Sequence, residues 1–168
     1  FSIISDPTNI SGSVSIGSVS YYAGTFTAVA TYTHNGSETT SDSFTYKAND
    51  GSADSNTATA TITITAVNDA PVANNVSGSG NEAGTITTTL TATDVDNSTA
   101  SDITFSIVSN PTNISGSVSI GSVSYSSGTF SATATYTHNG SETTSDSFTY
   151  KANDGAANSN TATATITI

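Results

Sequence analysis

Apolar and polar residues alternate along most of the chain. Ile86, Thr88, Leu90 and Ala92 share one parity, with Thr at the positions between them. Phe130, Ala132, Ala134 and Tyr136 alternate with Ser and Thr; Phe148, Tyr150 and Ala152 follow, and Ala162, Ala164, Ile166 and Ile168 alternate with Thr. A period of two is that of a half-buried strand. Thr is β-branched and suits the solvent side of a sheet. Shorter runs fit the same pattern: Ile103, Phe105 and Ile107, then Val118 with Ile120, and Val123 with Tyr125, the last two broken by Gly121. Asn139-Gly140 is a tight-turn signal that needs positive φ. No stretch carries a helical period. About seven short strands in roughly 100 residues predict an all-β fold, an immunoglobulin-like sandwich. Its core is lean, because many inward positions hold Ala or Thr. Extra stabilisation from ions or neighbours is therefore expected.

The pattern occurs twice. Sliding the sequence by 104 residues aligns 1–64 with 105–168 without a gap, at 56 identities in 64 positions. Residues 31–51 recur letter for letter as 135–155. A period near 100 is that of a domain, not of a solenoid turn, so the chain reads as part of a tandem array. The join falls at Asn68-Asp69-Ala70-Pro71, where Pro71 cannot continue a ladder. Residues 70–168 are expected to form one complete repeat. Residues 1–69 are expected to be the end of a preceding repeat that lacks its first strands, leaving an apolar face and open edges. Upstream chain or a neighbouring molecule is expected to supply those strands. A chain with neither initiator Met nor signal peptide is expected to be a mature product or a window of a longer protein.

Composition narrows the function classes. Ser and Thr make up 63 of the 168 residues, whereas Lys and Arg total 2 against 13 acids, a net charge of -11. Two basic residues cannot neutralise a phosphate backbone or an anionic membrane surface, so nucleic acid and membrane are not expected partners. No apolar run approaches the roughly 20 residues of a membrane span. Without Cys there is no disulfide or thiolate chemistry.

The acids gather at strand ends. Asp94 and Asp96 lie two apart and are followed by Asn97; Asn68 and Asp69 sit at the join; Asp154, with its equivalent Asp50, ends the Phe-Thr-Tyr-Lys-Ala-Asn-Asp strand. Acids and amides on loops are hard oxygen donors that suit Ca²⁺. They are also the residues that loops use for turns, so a solvated loop is the competing reading. Thr65-Ala-Val-Asn-Asp-Ala-Pro-Val-Ala73 and Asp42-Ser-Phe-Thr-Tyr-Lys-Ala-Asn-Asp-Gly51, repeated at 146–155, resemble the linker and penultimate strand of bacterial cadherin-like tandem repeats. The resemblance extends over the whole chain. It implies large secreted surface, adhesin or fibre proteins, with calcium between successive domains. It further implies that Asn68 and Asp69 face Asp94, Asp96 and Asp154, with Glu38 and Asp42 as weaker ligands from the preceding repeat. By the same carry-over Glu82 and Asp50 serve the junctions on either side. Two departures reduce the ligand count: Ala66 stands where the cadherin linker has an acid, and the Asp-Arg-Glu strand motif has no clean match.

Other constellations are weaker. His34 and His138 sit in equivalent Tyr-Thr-His-Asn-Gly turns, one per repeat, and are expected to face solvent. No nucleophile elbow and no phosphate loop is present, so no catalytic residue and no enzymatic activity is expected. Lys47 and Lys151 take the parity opposite Phe, Tyr and Ala and are expected to be exposed, not cross-linked to Asn. Sequons at Asn9, Asn35, Asn75, Asn97, Asn113 and Asn139 are candidate glycan sites. The favoured expectation is a calcium-stiffened spacer whose partners are neighbouring repeats or other copies in a filament. The alternative is a carbohydrate-binding module, for which Tyr22 is the candidate aromatic; its counterpart is Ser126.

Overall fold

The computed structural model describes residues 1–168 as strands and loops without a helix. The chain divides into two compact units, Phe1–Val67 and Asn68–Ile168.

In the first unit, β1 (Ser2–Ser5), β6 (Ser41–Lys47) and β7 (Ala58–Thr63) form one three-stranded sheet in the order β1-β6-β7. Opposing segments make only two small ribbons. One joins β2 (Ser15–Ile16) to β5 (Ala30–Thr31), and the other joins β3 (Ser20–Tyr22) to β4 (Thr25–Thr27). Pro7, Val14 and Phe44 are its only buried residues.

The second unit is a full sandwich. One sheet has the order β12 (Ser119–Ile120), β14 (Thr129–Thr137), β10 (Thr85–Thr93), β8 (Val72–Ala73), with β13 (Ser124–Ser126) also on β14. The other runs β11 (Thr104–Ser109), β15 (Ser145–Asn153), β16 (Ala162–Thr167), β9 (Val76–Ser79). All pairings are antiparallel except β9 with β16, where Val76 lies opposite Ala164. The inward parity matches the sequence pattern: Ile86, Thr88, Leu90 and Ala92 are buried, as are Phe130, Ala132, Ala134 and Tyr136. These residues pack with Phe148, Tyr150, Ala162, Ala164 and Ile166 into the core.

This unit has nine strands where the alternation predicts seven. The two extra ones, β8 and β9, have two and four residues, too short to carry a period. A glycine between β9 and β10 closes the turn: a Cβ at Gly80 would lie 2.5 Å from Cγ1 of Ile86. Gly140 has the expected positive φ of 83°. Its turn does not close a hairpin, because it carries the chain from β14 to β15 in the other sheet.

Candidate cation site and its polar neighbours

The expected ligands Asn68, Asp69, Asp94, Asp96 and Asp154 all belong to the second unit, and hydrogen bonds tie them into a chain. Where β10 ends, Asp94 caps the next turn. Its Oδ1 accepts the backbone N–H of Asp96 at 2.9 Å and of Asn97 at 3.1 Å, and the Asn97 side-chain amide at 3.2 Å. Asp96 Oδ2 then accepts the backbone N–H of Asp69 at 2.6 Å. Asn68 donates through Nδ2 to Asp154 Oδ2 at 2.9 Å. The Asp154 Oδ1 accepts the N–H of Ala157 at 2.6 Å and of Ala156 at 2.7 Å. The Ala157 N–H, with the Asn68 amide, holds the Asp154 carboxyl below its ordinary pKa.

Much of this acid cluster is therefore satisfied by N–H donors, as Asx turns require. No three acids or imidazoles converge in a metal-binding arrangement. One atom does not fit that account. Asp94 Oδ2 is buried and has no hydrogen-bond partner, and a buried carboxylate oxygen left unpaired is costly. A hard cation at this oxygen suits the donor chemistry of Asp94 and the adjacent Asp96 and Asp69.

The weaker candidates lie elsewhere. Glu38 is exposed on the loop between β5 and β6, and Glu82 is exposed in the turn between β9 and β10. Asp50 Oδ1 accepts the N–H groups of Ser52 and Ala53 at 2.8 Å each, repeating the Asp154 turn. Asp42 accepts the backbone N–H of Asn9 at 2.8 Å, of Ser43 at 2.8 Å and of Thr8 at 3.3 Å, with the Tyr32 hydroxyl at 3.2 Å. Its carboxylate anchors a loop within its own unit.

The same anchor in the second unit is Asp146, which sequence reading passed over. Its partners are the N–H groups of Asn113 (2.7 Å), Ser147 (2.8 Å) and Thr112 (3.2 Å), and the Tyr136 hydroxyl (3.1 Å). Burial pushes the Asp146 carboxyl up, but these donors outweigh it and hold it below its ordinary value of 3.8. Burial, with Asp146 beside it, pushes the Tyr136 phenol up to about 12. A signal for Asp146 was present: it shares the parity of Phe148, Tyr150 and Ala152, so it had to face inward.

His138 corrects the expectation of a solvent-facing turn residue. It continues the parity of Phe130 to Tyr136, and only 2% of its surface is exposed. Its Nδ1 accepts the N–H groups of Ala83 and Gly140, both at 3.2 Å, so the proton sits on Nε2, 3.1 Å from Thr143 Oγ1. His34 is half-buried and keeps the Thr39 and Gly36 contacts, but has no counterpart of Ala83. Lys47 is partly exposed and pairs with Asp54 at 2.5 Å.

A family model of the bacterial cadherin-like domain matches residues 68–168. The chain belongs to that family. Cadherin-like domains of bacteria typically occur in extracellular or surface proteins, in structural and adhesive roles. Among solved structures, a variant of the endo-fucoidan hydrolase MfFcnA4 of glycoside hydrolase family 107 is 18% identical. The match has a TM-score of 0.40 and covers 92% of this chain and 23% of that one. MfFcnA9 of the same family is 15% identical with a TM-score of 0.42, covering 99% of this chain and 28% of that one. The cadherin-like chain thus spans only a minor part of either hydrolase. No curated protein matches it.

Proposed function

We propose that the chain is a spacer segment of an extracellular surface, adhesin or fibre protein, without catalytic activity of its own, that is stiffened by calcium. Its partners in this reading are neighbouring repeats and other copies in a filament. The observation that carries the calcium reading is the buried, unpartnered Asp94 Oδ2 at the end of β10. A cation there would neutralise acids that only two lysines in the whole chain could otherwise offset. It would also fasten the linker residue Asp69, already bonded to Asp96, to the loop that follows β10. Ion concentration would then set stiffness.

Thermal unfolding of the whole chain in calcium and in EDTA tests this. A site with a Kd near 1 mM, in about 10 mM calcium, adds about 1.4 kcal/mol. That raises the melting temperature of the second unit by roughly 6–11 °C. Asp94→Asn should abolish the rise. Superimposable curves in calcium and EDTA would sink the calcium reading.

The carbohydrate-binding alternative has one observation behind it: Tyr22 is 86% exposed. Tyr21 and Phe26 are also exposed and lie cross-strand with ring centres 4.7 Å apart. Tyr21 is the next residue along the same strand and points to the opposite face. The three rings therefore do not form one platform, which favours the spacer.

A further inference from the structure

In the turn that carries the chain from β14 to β15, Asn139 is exposed and is followed by Gly140. Three contacts arm this pair. The Gly140 N–H donates to Nδ1 of His138 at 3.2 Å. Asn139 Oδ1 accepts the N–H of Ser141 at 3.0 Å. The ring closed by that bond contains the Gly140 peptide, so the carboxamide carbon curls back toward the Gly140 nitrogen. The His138 Nε2, which carries the proton, lies 3.1 Å from Thr143 Oγ1 and 3.4 Å from Ser141 Oγ. These contacts fix the imidazole with the lone pair of Nδ1 facing the Gly140 N–H.

The same contacts recur in the first unit. Gly36 donates to His34 Nδ1 at 3.3 Å, Ser37 donates to Asn35 Oδ1 at 3.0 Å, and His34 Nε2 lies 3.1 Å from Thr39 Oγ1. A tight turn needs the glycine and the Asx bond. It does not need an imidazole lone pair on the glycine nitrogen.

We infer that Asn139-Gly140 is a self-modification site, at which His138 is the general base for loss of the Asn139 amide. Nδ1 takes the Gly140 N–H proton as that nitrogen bonds to Cγ of Asn139. The charge developing on Oδ1 is held by the Ser141 N–H. The Cγ–Nδ2 bond then breaks, and Nδ2 leaves as ammonia with the proton returned from His138. A succinimide ring remains, and water opens it. Opening at the side-chain carbonyl leaves an aspartate at position 139. Opening at the main-chain carbonyl leaves an iso-aspartate, whose backbone runs through Cβ and is one carbon longer. Either product adds a negative charge. The longer link also displaces the contacts on either side of it, the Asn139 N–H on the Asn113 carbonyl (3.0 Å) and the Gly140 N–H on His138. The crossover between the two sheets thus changes with age without an enzyme. The inference is independent of the cation site.

Mass spectrometry of the whole chain aged in heavy-oxygen water tests this, against a peptide of residues 134–144 as the same letters without the fold. The chain should convert Asn139 at about ten times the peptide's rate or more. Its rate should level off with rising pH once the imidazole is neutral, whereas the peptide's keeps rising in proportion to hydroxide. The charged groups that flank the imidazole's partners, Glu82 beside Ala83 and Glu142 beside Ser141, are both exposed, and the Tyr136 ring centre lies 6.2 Å away. His138→Gln keeps an acceptor for the N–H groups but supplies no base. It should slow loss at Asn139 to the peptide's rate or below, and leave loss at Asn35 in the same molecule unchanged. His34→Gln should do the reverse. Should His138→Gln unfold the second unit, the pH profile of the unaltered chain decides. Conversion of Asn139 no faster in the chain than in the peptide overturns the inference. So does a rate in the chain that follows hydroxide, or one that is equal in a folded His138→Gln variant.

Discussion

Phe26 and Phe130 occupy the same place in two copies of nearly one sequence, yet the first is largely exposed and the second is sealed. The neighbouring letters do not account for this, since the segments 25–33 and 129–137 differ only at Thr27/Ser131 and Val29/Thr133. What differs is the partner strand. Beside β10, residues 129–137 form one unbroken nine-residue strand; without it, the equivalent residues break into β4 and β5. Strand structure here is a property of the pair, as cross-strand packing would have it.

The largest expected effect that probes the comparison is at the two phenylalanines. Phe130→Ala should cost about 3–5 kcal/mol in urea unfolding, and Phe26→Ala less than about 1 kcal/mol. Equal costs would mean that the first unit is covered in solution. A smaller effect is expected at the loop anchor. Tyr136→Phe removes a buried hydroxyl bond and should cost about 1–2 kcal/mol, while Tyr32→Phe should shift the midpoint less. Acid sharpens the contrast further. The folded pKa of Asp146 lies below 3.8, so the group stabilises the fold above that value, and the contribution fades as pH falls through the folded pKa. Asp146→Asn should flatten the acid limb of the second unit's stability profile below about pH 4. The smallest effect is expected at Lys47 and Asp54, a partly exposed pair whose counterparts are Lys151 and Asn158. Asp54→Asn should leave the unfolding midpoint of the whole chain unmoved.

The sandwich was legible wherever a strand was long enough to show its parity. Nine residues from Thr85 to Thr93 name their own inner face; the two residues of β8 cannot. Parity also held more than was taken from it. Asp146 and His138 both stand on inward positions, and a polar side chain there must find partners. Reading them as a bare strand start and a solvent-facing turn ignored the period that had located the core. The acid cluster was harder. Asp94, Asp96 and Asp154 look alike as letters, but two backbone N–H groups engage Asp154 Oδ1 and Asp94 Oδ1 alike. The unpartnered second oxygen of Asp94 is what sets it apart, and no spacing rule reports that.

The pairing of Val76 with Ala164 also has a consequence for synthesis. Contacts between residues so far apart fold slowly, because a long loop must close first. A repeat emerging from the ribosome cannot seat β9 until its last strand is made. During that interval, in any array of near-identical repeats, the strands of one repeat fit the groove of the next as well as their own. Misassembly between neighbouring domains is a known failure of such arrays. The order in which repeats emerge, rather than any difference in their sequence, would then be what keeps each strand with its own domain.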